Sequence, residues 1–345
     1  MQKRFFILIL VLTVIAFSAG LIRHLSRTAR TSDKRAKEVT LIVYAPTSFV
    51  DSYGPGEILK KNFEAHCACT VIYVDVGSGR LAIDRMAAAP KNRVDVVLGL
   101  DLLLLKNAAS QVKFQALNEL STKWQKPIRG FSFQRFMPYD WSPMGFVYRE
   151  PTKDFSTPPS FAAALASWPE KSLSLADPSS STVGLEWLYW VYRTQSNPTE
   201  SLQKLSHLTS VVTPTWSAAY GLFKKHQVNS TFTYLTSLLY HWQVEKDESY
   251  RFLPFQEGHP IQVEYAAVPE SCWNCTTAKN FVEYLVTPEA QKIIAEKNYM
   301  LPVIENVSLD PIFENLPTVT PLGLEKIDDF LNQQAQLIEA WRKAN

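Results

Sequence analysis

Residues 40–101 read TLIVYAPTSFVDSYGPGEILKKNFEAHCACTVIYVDVGSGRLAIDRMAAAPKNRVDVVLGLD, and this stretch decides the fold class. It contains three short apolar runs with the length and β-branched content of buried strands, separated by two segments with helical spacing. The strands are predicted at 40–44, 70–74 and 94–98, and the helices at 57–66 and 80–89. Strands that alternate with single helices predict right-handed crossovers and a parallel sheet, so the fold class is α/β.

The loops that follow these three strands cover residues 45–48, 77–79 and 99–101. Ligands of parallel sheets bind beyond the carboxyl ends of the strands. We therefore expect the three loops to surround one mouth.

The rest of the chain repeats the pattern and predicts a second lobe. Residues 137–141 predict a crossover, and residues 262–268 predict the strand that returns. Further strand and helix signals are found at 145–148, 173–178, 185–192, 211–213, 218–225 and 230–234, with a proline-rich loop at 151–160. We predict two lobes with a ligand cleft between them. Lobe one consists of residues 39–140 and 262–345 and lobe two of residues 141–261, with the placement of the amphipathic C-terminal helix at 324–343 left open.

The N-terminal residues have the features of an export signal. Lys3 and Arg4 precede an apolar run at residues 5–17 that ends in small residues. The apolar stretch extends to Ile22, close to the roughly 20 residues that span a bilayer, so a cleaved signal peptide and an uncleaved membrane anchor are both open for residues 1–22. Residues 23–38 predict a disordered basic tether. The sequence therefore predicts a periplasmic protein, soluble or tethered to the inner membrane.

The charge balance argues against a nucleic-acid partner. Of 35 Lys or Arg and 33 Asp or Glu, eight basic and two acidic residues lie in the first 38 positions, which leaves 27 basic and 31 acidic residues. The remainder therefore carries a net charge of −4, and no basic face is indicated. This balance suits a neutral or cationic ligand.

Four cysteines form two close pairs, Cys67 with Cys69 and Cys272 with Cys275. In an exported protein we expect disulfides, and four cysteines allow three pairings, which the sequence leaves open. A zinc site with four cysteine ligands is the alternative in a reducing compartment.

Seven motifs resemble, in order and spacing, the family of periplasmic thiamine-binding proteins of bacterial thiamine ABC importers. They are EILKKNFEAHCAC at 57–69, DVVLGLD at 95–101, DPSSSTVG at 177–184, WSAAYGLF at 216–223, YLTSLLYH at 234–241, EGHPIQVE at 257–264 and MLPV at 300–303. The resemblance implies a type 2 periplasmic-binding fold, whose two lobes close on the ligand. It also implies a binding protein rather than an enzyme, with no cofactor or metal, and with ABC permease and ATPase subunits as partners.

The resemblance implies a set of ligand-binding residues. Ser181 and Thr182 lie at a helix start, where N–H groups and hydroxyls hold a phosphate or a terminal hydroxyl, although a serine there can also be a simple helix cap. Trp216 would cover a ring or an organic cation, with core packing as the alternative. One wall consists of Tyr234, Leu235, Thr236, Ser237 and Tyr240. The opposite wall consists of Ser78, Gly79 and Tyr299.

Three positions depart from the family pattern. Ser78 stands where thiamine-binding proteins place an acidic residue that binds the aminopyrimidine, whereas Gly79 matches. Pro46 stands in place of a stacking aromatic residue, and Tyr299 in place of an indole. Losing an ionised partner in a desolvated pocket costs about 2 to 3 kcal/mol. Candidates for a replacement carboxylate are Asp75, Asp101 and Asp140.

Other functions remain open on the sequence alone. The cleft could receive another small organic cation, such as a polyamine, or another phosphorylated solute. Ferric iron would use Tyr234 and Tyr240, but these are not adjacent in the sequence as iron-binding tyrosines usually are. A thiaminase-like enzyme would need a cysteine thiolate in the cleft, and no cysteine follows the carboxyl end of a predicted strand. A tethered sensor is the remaining alternative.

Overall fold

The computed structural model describes residues 39–131, 134–149, 159–323 and 325–345. The predicted signal or anchor at 1–22, the tether at 23–38 and most of the loop predicted at 151–160 lie outside these residues. Within the described ranges, no helix combines the length and the hydropathy needed to cross a membrane.

Nine strands in the described residues form one curled sheet. They are β1 Val39–Pro46, β2 Cys69–Gly77, β3 Val96–Asp101, β4 Met137–Arg149, β5 Leu173–Ala176, β6 Thr209–Thr213, β7 Ser230–Tyr234, β8 Tyr250–Leu253 and β9 Ile261–Ala267. The strand order is β2-β1-β3-β9-β4-β7-β5-β6, with β8 paired to β4. β1 runs parallel to β2 and β3, and β5 runs parallel to β6 and β7. β9 and β4 are antiparallel to their neighbours.

Twelve α-helices of the described residues cover the sheet. They are α1 Thr47–Val50, α2 Gly56–Glu64, α3 Gly79–Ala88, α4 Leu105–Gln111, α5 Phe161–Ser167, α6 Thr182–Thr194, α7 Pro198–Leu208, α8 Trp216–Lys224, α9 Ser237–Tyr240, α10 Cys275–Tyr284, α11 Pro288–Asn298 and α12 Ile327–Ala344. Five of them begin at a serine or threonine whose hydroxyl caps the first turn, as these residues commonly do. The caps of α3, α5, α6, α8 and α11 are Ser78, Ser160, Ser181, Thr215 and Thr287.

Strand β4 joins the two halves of the sheet. Its residues 137–143 pair with β9, and its residues 144–149 pair with β7 and β8. The sequence predicted a crossover at 137–141 followed by a separate strand at 145–148. The chain does pass between the two halves here, but the separation into two elements is wrong, because one continuous strand changes partner after Pro143. We use lobe one for the half built on β1, β2, β3 and β9, and lobe two for the half built on β5 to β8.

Each lobe has its own apolar core. Leu41 and Phe281 are fully buried in lobe one, and Trp187 and Trp190 are fully buried in lobe two. Burying one such side chain contributes about 1.5 to 3 kcal/mol. Because the two cores are separate, each lobe can keep its shape when the angle between the lobes changes.

The C-terminal helix α12, whose placement the sequence left open, packs on lobe two against α6 and α7. Phe330, Leu337 and Trp341 are buried on one face of α12, and the Trp341 ring lies 4.8 Å from the Trp187 ring of α6. Its apolar stripe therefore belongs with lobe two, although the sequence division placed residues 262–345 in lobe one. The other lobe limits predicted from the sequence stay a prediction.

All four cysteines form disulfides, and the pairing is local: Cys67 with Cys69 and Cys272 with Cys275. Cys69 starts β2, opposite Val39 at the start of β1. The second disulfide lies nearby, since Asn274 donates a hydrogen bond to the Thr40 carbonyl. Both disulfides therefore lie at the amino ends of the strands, away from the mouth. The described residues contain no group of three His, Cys, Asp or Glu side chains arranged to hold a metal ion.

Candidate functional site

The carboxyl ends of β1, β2 and β3 meet at one edge of lobe one. Pro46 ends β1, Gly79 follows β2 and Asp101 ends β3. A Cβ on Gly79 would overlap the carbonyl oxygen of Gly99, and Gly99 itself has a φ of +75°. Glycine at both positions therefore allows the two loops to touch, because it has no side chain and tolerates positive φ.

Ser78 and Asp75 are already engaged in the loop after β2. The Ser78 hydroxyl accepts a hydrogen bond from the Leu81 N–H at 3.3 Å and caps α3. Asp75 Oδ1 accepts hydrogen bonds from the Thr47 hydroxyl and the Gly77 N–H, both at 2.8 Å. The exposed Asp75 thus ties two loops of lobe one together.

Trp216 is the first residue of α8 in lobe two and is half-buried. Its ring stacks on Tyr220 with centroids 5.1 Å apart and planes 19° apart, and meets the edge of Tyr234 at 5.4 Å. Its indole N–H donates to the Thr233 hydroxyl at 2.9 Å. Three contacts fix the plane of the indole, so Trp216 forms a rigid aromatic wall.

The start of α6 belongs to lobe two, like Trp216, and lies close to Asp101 of lobe one, since the Thr182 side chain is among the groups that shift the pKa of Asp101. Ser181 caps α6 by accepting a hydrogen bond from the Gly184 N–H at 3.4 Å, and it is 8% exposed. The first N–H groups of a helix have no partner within the helix and favour negative or polar groups. Ser181 is thus a cap, and the helix start at Thr182 keeps its capacity to bind an anion or a hydroxyl.

The predicted wall at the turn from β7 to α9 contains both partly exposed residues and residues buried inside lobe two. Tyr234 is half-buried, whereas Leu235 and Thr236 are buried inside lobe two at 3% and 0% exposure. The Thr236 hydroxyl donates to Ser142 Oγ at 3.2 Å, and Ser237 Oγ lies 3.0 Å from Thr233 Oγ1. Leu235 and Thr236 therefore hold the turn in place from within.

Tyr240 and Tyr299 bring the two lobes into contact at the far end of the wall. Their ring centroids are 5.9 Å apart, edge to face. Lys224 donates to the Tyr240 hydroxyl at 2.7 Å and forms an ion pair with Glu245 at 3.2 Å. Lys224 introduces a positive charge at this end, and the sequence analysis missed it.

A chain of hydrogen bonds runs behind the wall. The Tyr220 hydroxyl lies 2.8 Å from His241 Nε2, and His241 Nδ1 lies 2.6 Å from Glu245 Oε2. Burial lowers the pKa of His241, and its hydrogen bond to Glu245 opposes that effect. Glu245 also contacts Lys224, so the chain links the ring that backs Trp216 to the residue that holds Tyr240.

Three carboxyl side chains form a row across the neighbouring strands β3, β9 and β4, of which β4 continues into lobe two. Asp101 of β3 is opposite Glu264 of β9, and Glu264 is opposite Asp140 of β4. Opposed residues of neighbouring strands lie on the same face with Cβ atoms about 5 Å apart. We call Asp101, Glu264 and Asp140 the acid row. Asp101 and Asp140 are fully buried, and Glu264 keeps part of its surface exposed.

Burial disfavours the charged forms of the acid row. It raises the pKa of Asp101 to about 7, against the opposing effects of the Thr182 side chain and the Leu104 N–H. Burial, and then the charge of Glu264, raise the pKa of Asp140 well above its ordinary value. Burial also raises the pKa of Glu264. The pKa of each carboxyl of the row is thus shifted upward, with burial as the largest cause.

The structure thus brings together residues predicted on both lobes. Tyr234 lies close to the acid row, since the charges of Glu264, Asp140 and Asp101 follow burial among the causes that raise the pKa of its phenol. Sequence reasoning named Asp101 and Asp140 as candidate carboxylates but missed Glu264, Gln262, Tyr220 and Lys224. Only the pairing of strands far apart in the chain places Glu264 between the two aspartates.

Comparison with known proteins gives one family and close relatives. Residues 41–299 match the model of the family described as bacterial extracellular solute-binding protein. A thiamine-binding periplasmic protein of Salmonella typhimurium is 36% identical over 307 residues, which cover 88% of this chain and 93% of the relative.

Solved structures are similar over the same range. A structure titled periplasmic thiamin binding protein has a TM-score of 0.79 at 32% identity, covering 88% of this chain and 96% of that chain. A ferric binding protein from Campylobacter jejuni has a TM-score of 0.72 at 16% identity, covering 88% of this chain and 99% of that chain, which indicates the fold alone. These similarities confirm the two-lobed α/β fold predicted from the sequence.

Proposed function

Because the chain belongs to the family of bacterial extracellular solute-binding proteins, we propose that it is the thiamine-binding component of an ABC importer. In this proposal the cleft binds thiamine or a thiamine phosphate, and the loaded protein delivers it to the permease, whose ATPase drives import. The relatives whose names carry thiamine binding are matched over about nine-tenths of this chain, and the wall at Trp216 is the observation in the cleft that supports the same ligand.

Each part of the cleft has a chemical role in this proposal. The rigid indole of Trp216 stacks on a ring of the ligand, and a cationic ring gains the additional attraction of a cation for an aromatic face. Tyr234 and Tyr240 supply phenol hydroxyls. Ser181 and Thr182, at the helix start, hold the hydroxyl or phosphate end. β4 and β9 connect the lobes as the cleft closes around the ligand.

Calorimetric titration tests this function directly. We expect thiamine and its monophosphate to bind ligand-free protein with roughly micromolar affinity or better, because stacking and hydroxyl contacts suffice for that range. No heat from either compound at millimolar concentration would leave only the general role of a solute-binding protein. Mass spectrometry of thiamine after incubation tests for cleavage, and we expect none, since all four cysteines are in disulfides and a thiolate nucleophile is required.

Replacing Ser78 with aspartate should tighten thiamine binding about tenfold, because a carboxylate there would make a charge-assisted hydrogen bond to the aminopyrimidine. Aspartate is as good a helix cap as serine, so α3 should begin as before. Calorimetry of the two proteins measures the gain.

Ser78→Asn is the matched control, since asparagine also caps a helix but has no charge. We expect its affinity to stay near that of the wild type. An equal gain in affinity in both variants would assign the effect to the helix cap rather than to charge. No gain in either variant would mean that the aminopyrimidine does not bind at this loop.

We also propose a periplasmic location, with residues 1–22 directing export or remaining as an anchor. A fusion of alkaline phosphatase after residue 40 should be enzymatically active in intact cells, because that enzyme needs the oxidising periplasm for its disulfides. The same fusion without residues 1–22 should be inactive. Inactivity of both fusions would contradict export, and N-terminal sequencing of the native protein distinguishes cleavage from anchoring.

A further inference from the structure

The acid row lacks cationic partners. Tyr139 donates its hydroxyl to Glu264 Oε2 at 2.5 Å, and Asn298 donates to Asp140 Oδ2 at 2.8 Å. The Leu104 N–H donates to Asp101 Oδ1 at 3.1 Å. None of the three carboxyls forms an ion pair with a lysine, arginine or histidine of the described ranges. All their partners are thus neutral.

Several buried oxygens on this surface have no hydrogen-bond partner among the described residues. Asp101 Oδ2 and Asp140 Oδ1 are two of them. A third belongs to a neutral side chain, because Gln262 is 3% exposed and its Oε1 is also unpaired. Gln262 precedes Glu264 by two positions on β9 and therefore lies on the same face of the sheet. Unpaired buried oxygens are costly, so their alignment indicates a place for a ligand.

The position of the row places it at the floor of the cleft. β4, which carries Asp140, passes from lobe one into lobe two, and β9, which carries Glu264, pairs with the lobe-one part of β4. From lobe two, Tyr234 and the start of α6 at Thr182 approach the row. Glu186, one turn further along α6, is buried, and the pKa of its carboxyl is raised first by burial and then by the charge of Asp101. Among the described residues, no lysine or arginine forms an ion pair with any of these four carboxyls.

We infer that the acid row is the subsite that recognises the positive charge of the ligand, so that the cleft selects a small organic cation over a neutral molecule of the same shape. This inference rests on the proposed function, since thiamine carries a permanent positive charge in its thiazolium ring. The row places three carboxyl groups beneath the cleft, and a bound cation would favour their charged forms.

The raised pKa values of the row couple ligand binding to proton release. The titratable groups that face it are Glu186 of α6, Tyr234 of β7 and Tyr139 of β4, and none of them is a cation. A bound cation favours the charged form of every neighbouring carboxyl. Thiamine binding at neutral pH should therefore release a proton from the row into solution.

The experiment compares thiamine with its neutral isostere, in which a thiophene ring replaces the thiazolium ring. In calorimetry, wild-type protein should bind thiamine about tenfold more tightly than the isostere. Glu264→Gln should bring the two affinities close together, mainly by weakening thiamine binding. Glu200→Gln removes a carboxylate from the exposed surface of α7 and should leave the ratio unchanged.

The outcomes separate this inference from the proposed function. If wild-type protein binds neither compound, the thiamine assignment fails. If it binds both compounds equally, or if Glu264→Gln keeps the wild-type ratio of affinities, the acid row does not recognise the positive charge of the ligand. Should Glu264→Gln fail to fold, thiamine titrations of the wild type in two buffers of different ionisation enthalpy decide the matter. We expect proton release with thiamine and none with the isostere, and equal proton release would overturn the inference.

Discussion

Trp216→Ala should weaken thiamine binding about a hundredfold or more, the largest loss expected for any single side chain of the cleft. The indole is held by stacking on Tyr220 and by its hydrogen bond to Thr233, so it offers a preorganised face at little entropic cost. Alanine removes this face and the hydrogen bond from the indole N–H to the Thr233 hydroxyl. Calorimetry with thiamine and its monophosphate measures the loss.

Two further variants make this result specific. Trp216→Phe keeps an aromatic face without the indole N–H and should lose about tenfold in affinity. Trp273→Ala removes a tryptophan that is 72% exposed beside the Cys272–Cys275 disulfide, away from the cleft, and should bind as the wild type does. Wild-type affinity in Trp216→Ala would exclude stacking at this residue and move the ligand elsewhere in the cleft.

Local patterns explain what could be predicted from the sequence. The loops after β1, β2 and β3 converge because a parallel sheet with single-helix crossovers has no other arrangement. A helix was predicted at 185–192, and it begins three residues earlier because the hydroxyl of Ser181 caps its first turn. The apolar stripe of α12 predicted a helix but not the surface it covers, which depends on the shape of α6 and α7.

The remaining features depend on contacts between distant parts of the chain. The acid row exists only because the register of β3, β9 and β4 aligns Asp101, Glu264 and Asp140. Strand β4 was predicted as a crossover and a separate strand, whereas it is continuous and Pro143 marks its change of partner between the lobes. No pattern in the sequence indicates that the Lys224 side chain reaches Tyr240.

His259 lies next to the point where β4 changes partner, because its side chain contacts Met144. This residue lies in the segment that returns from lobe two to β9, and it is fully buried. Its Nε2 accepts from the Phe255 N–H at 3.0 Å, so Nδ1 carries the proton and donates to the Met144 carbonyl of β4 at 2.9 Å. Its backbone also pairs with Thr320 and Leu322. His259 thus joins three chain segments: its neutral imidazole contacts Phe255 and Met144, and its backbone contacts residues 320–322.

His259 should make the protein less stable in acid. Burial lowers its pKa from the ordinary 6.5 to about 4, against the opposing hydrogen bond to Met144. Above pH 6.5 both the folded and the unfolded protein have a neutral imidazole. As the pH falls from 6.5 to about 4, the unfolded chain takes up a proton that the folded protein does not. At about 1.4 kcal/mol per pH unit, the contribution of His259 to the free energy of unfolding should fall by about 3 kcal/mol.

The acid row acts in the opposite direction, so only a difference between variants isolates His259. Carboxyls with a raised pKa take up protons in the folded protein first, and they add stability as the pH falls below about 7. Urea unfolding of wild type and His259→Gln should show the wild type clearly more stable at pH 7.5. That advantage should shrink by about 3 kcal/mol by pH 4, because glutamine does not titrate. A difference that stays constant from pH 7.5 to pH 4 would mean that His259 takes up a proton within the fold as readily as in the unfolded chain, and the buried neutral imidazole would be wrong.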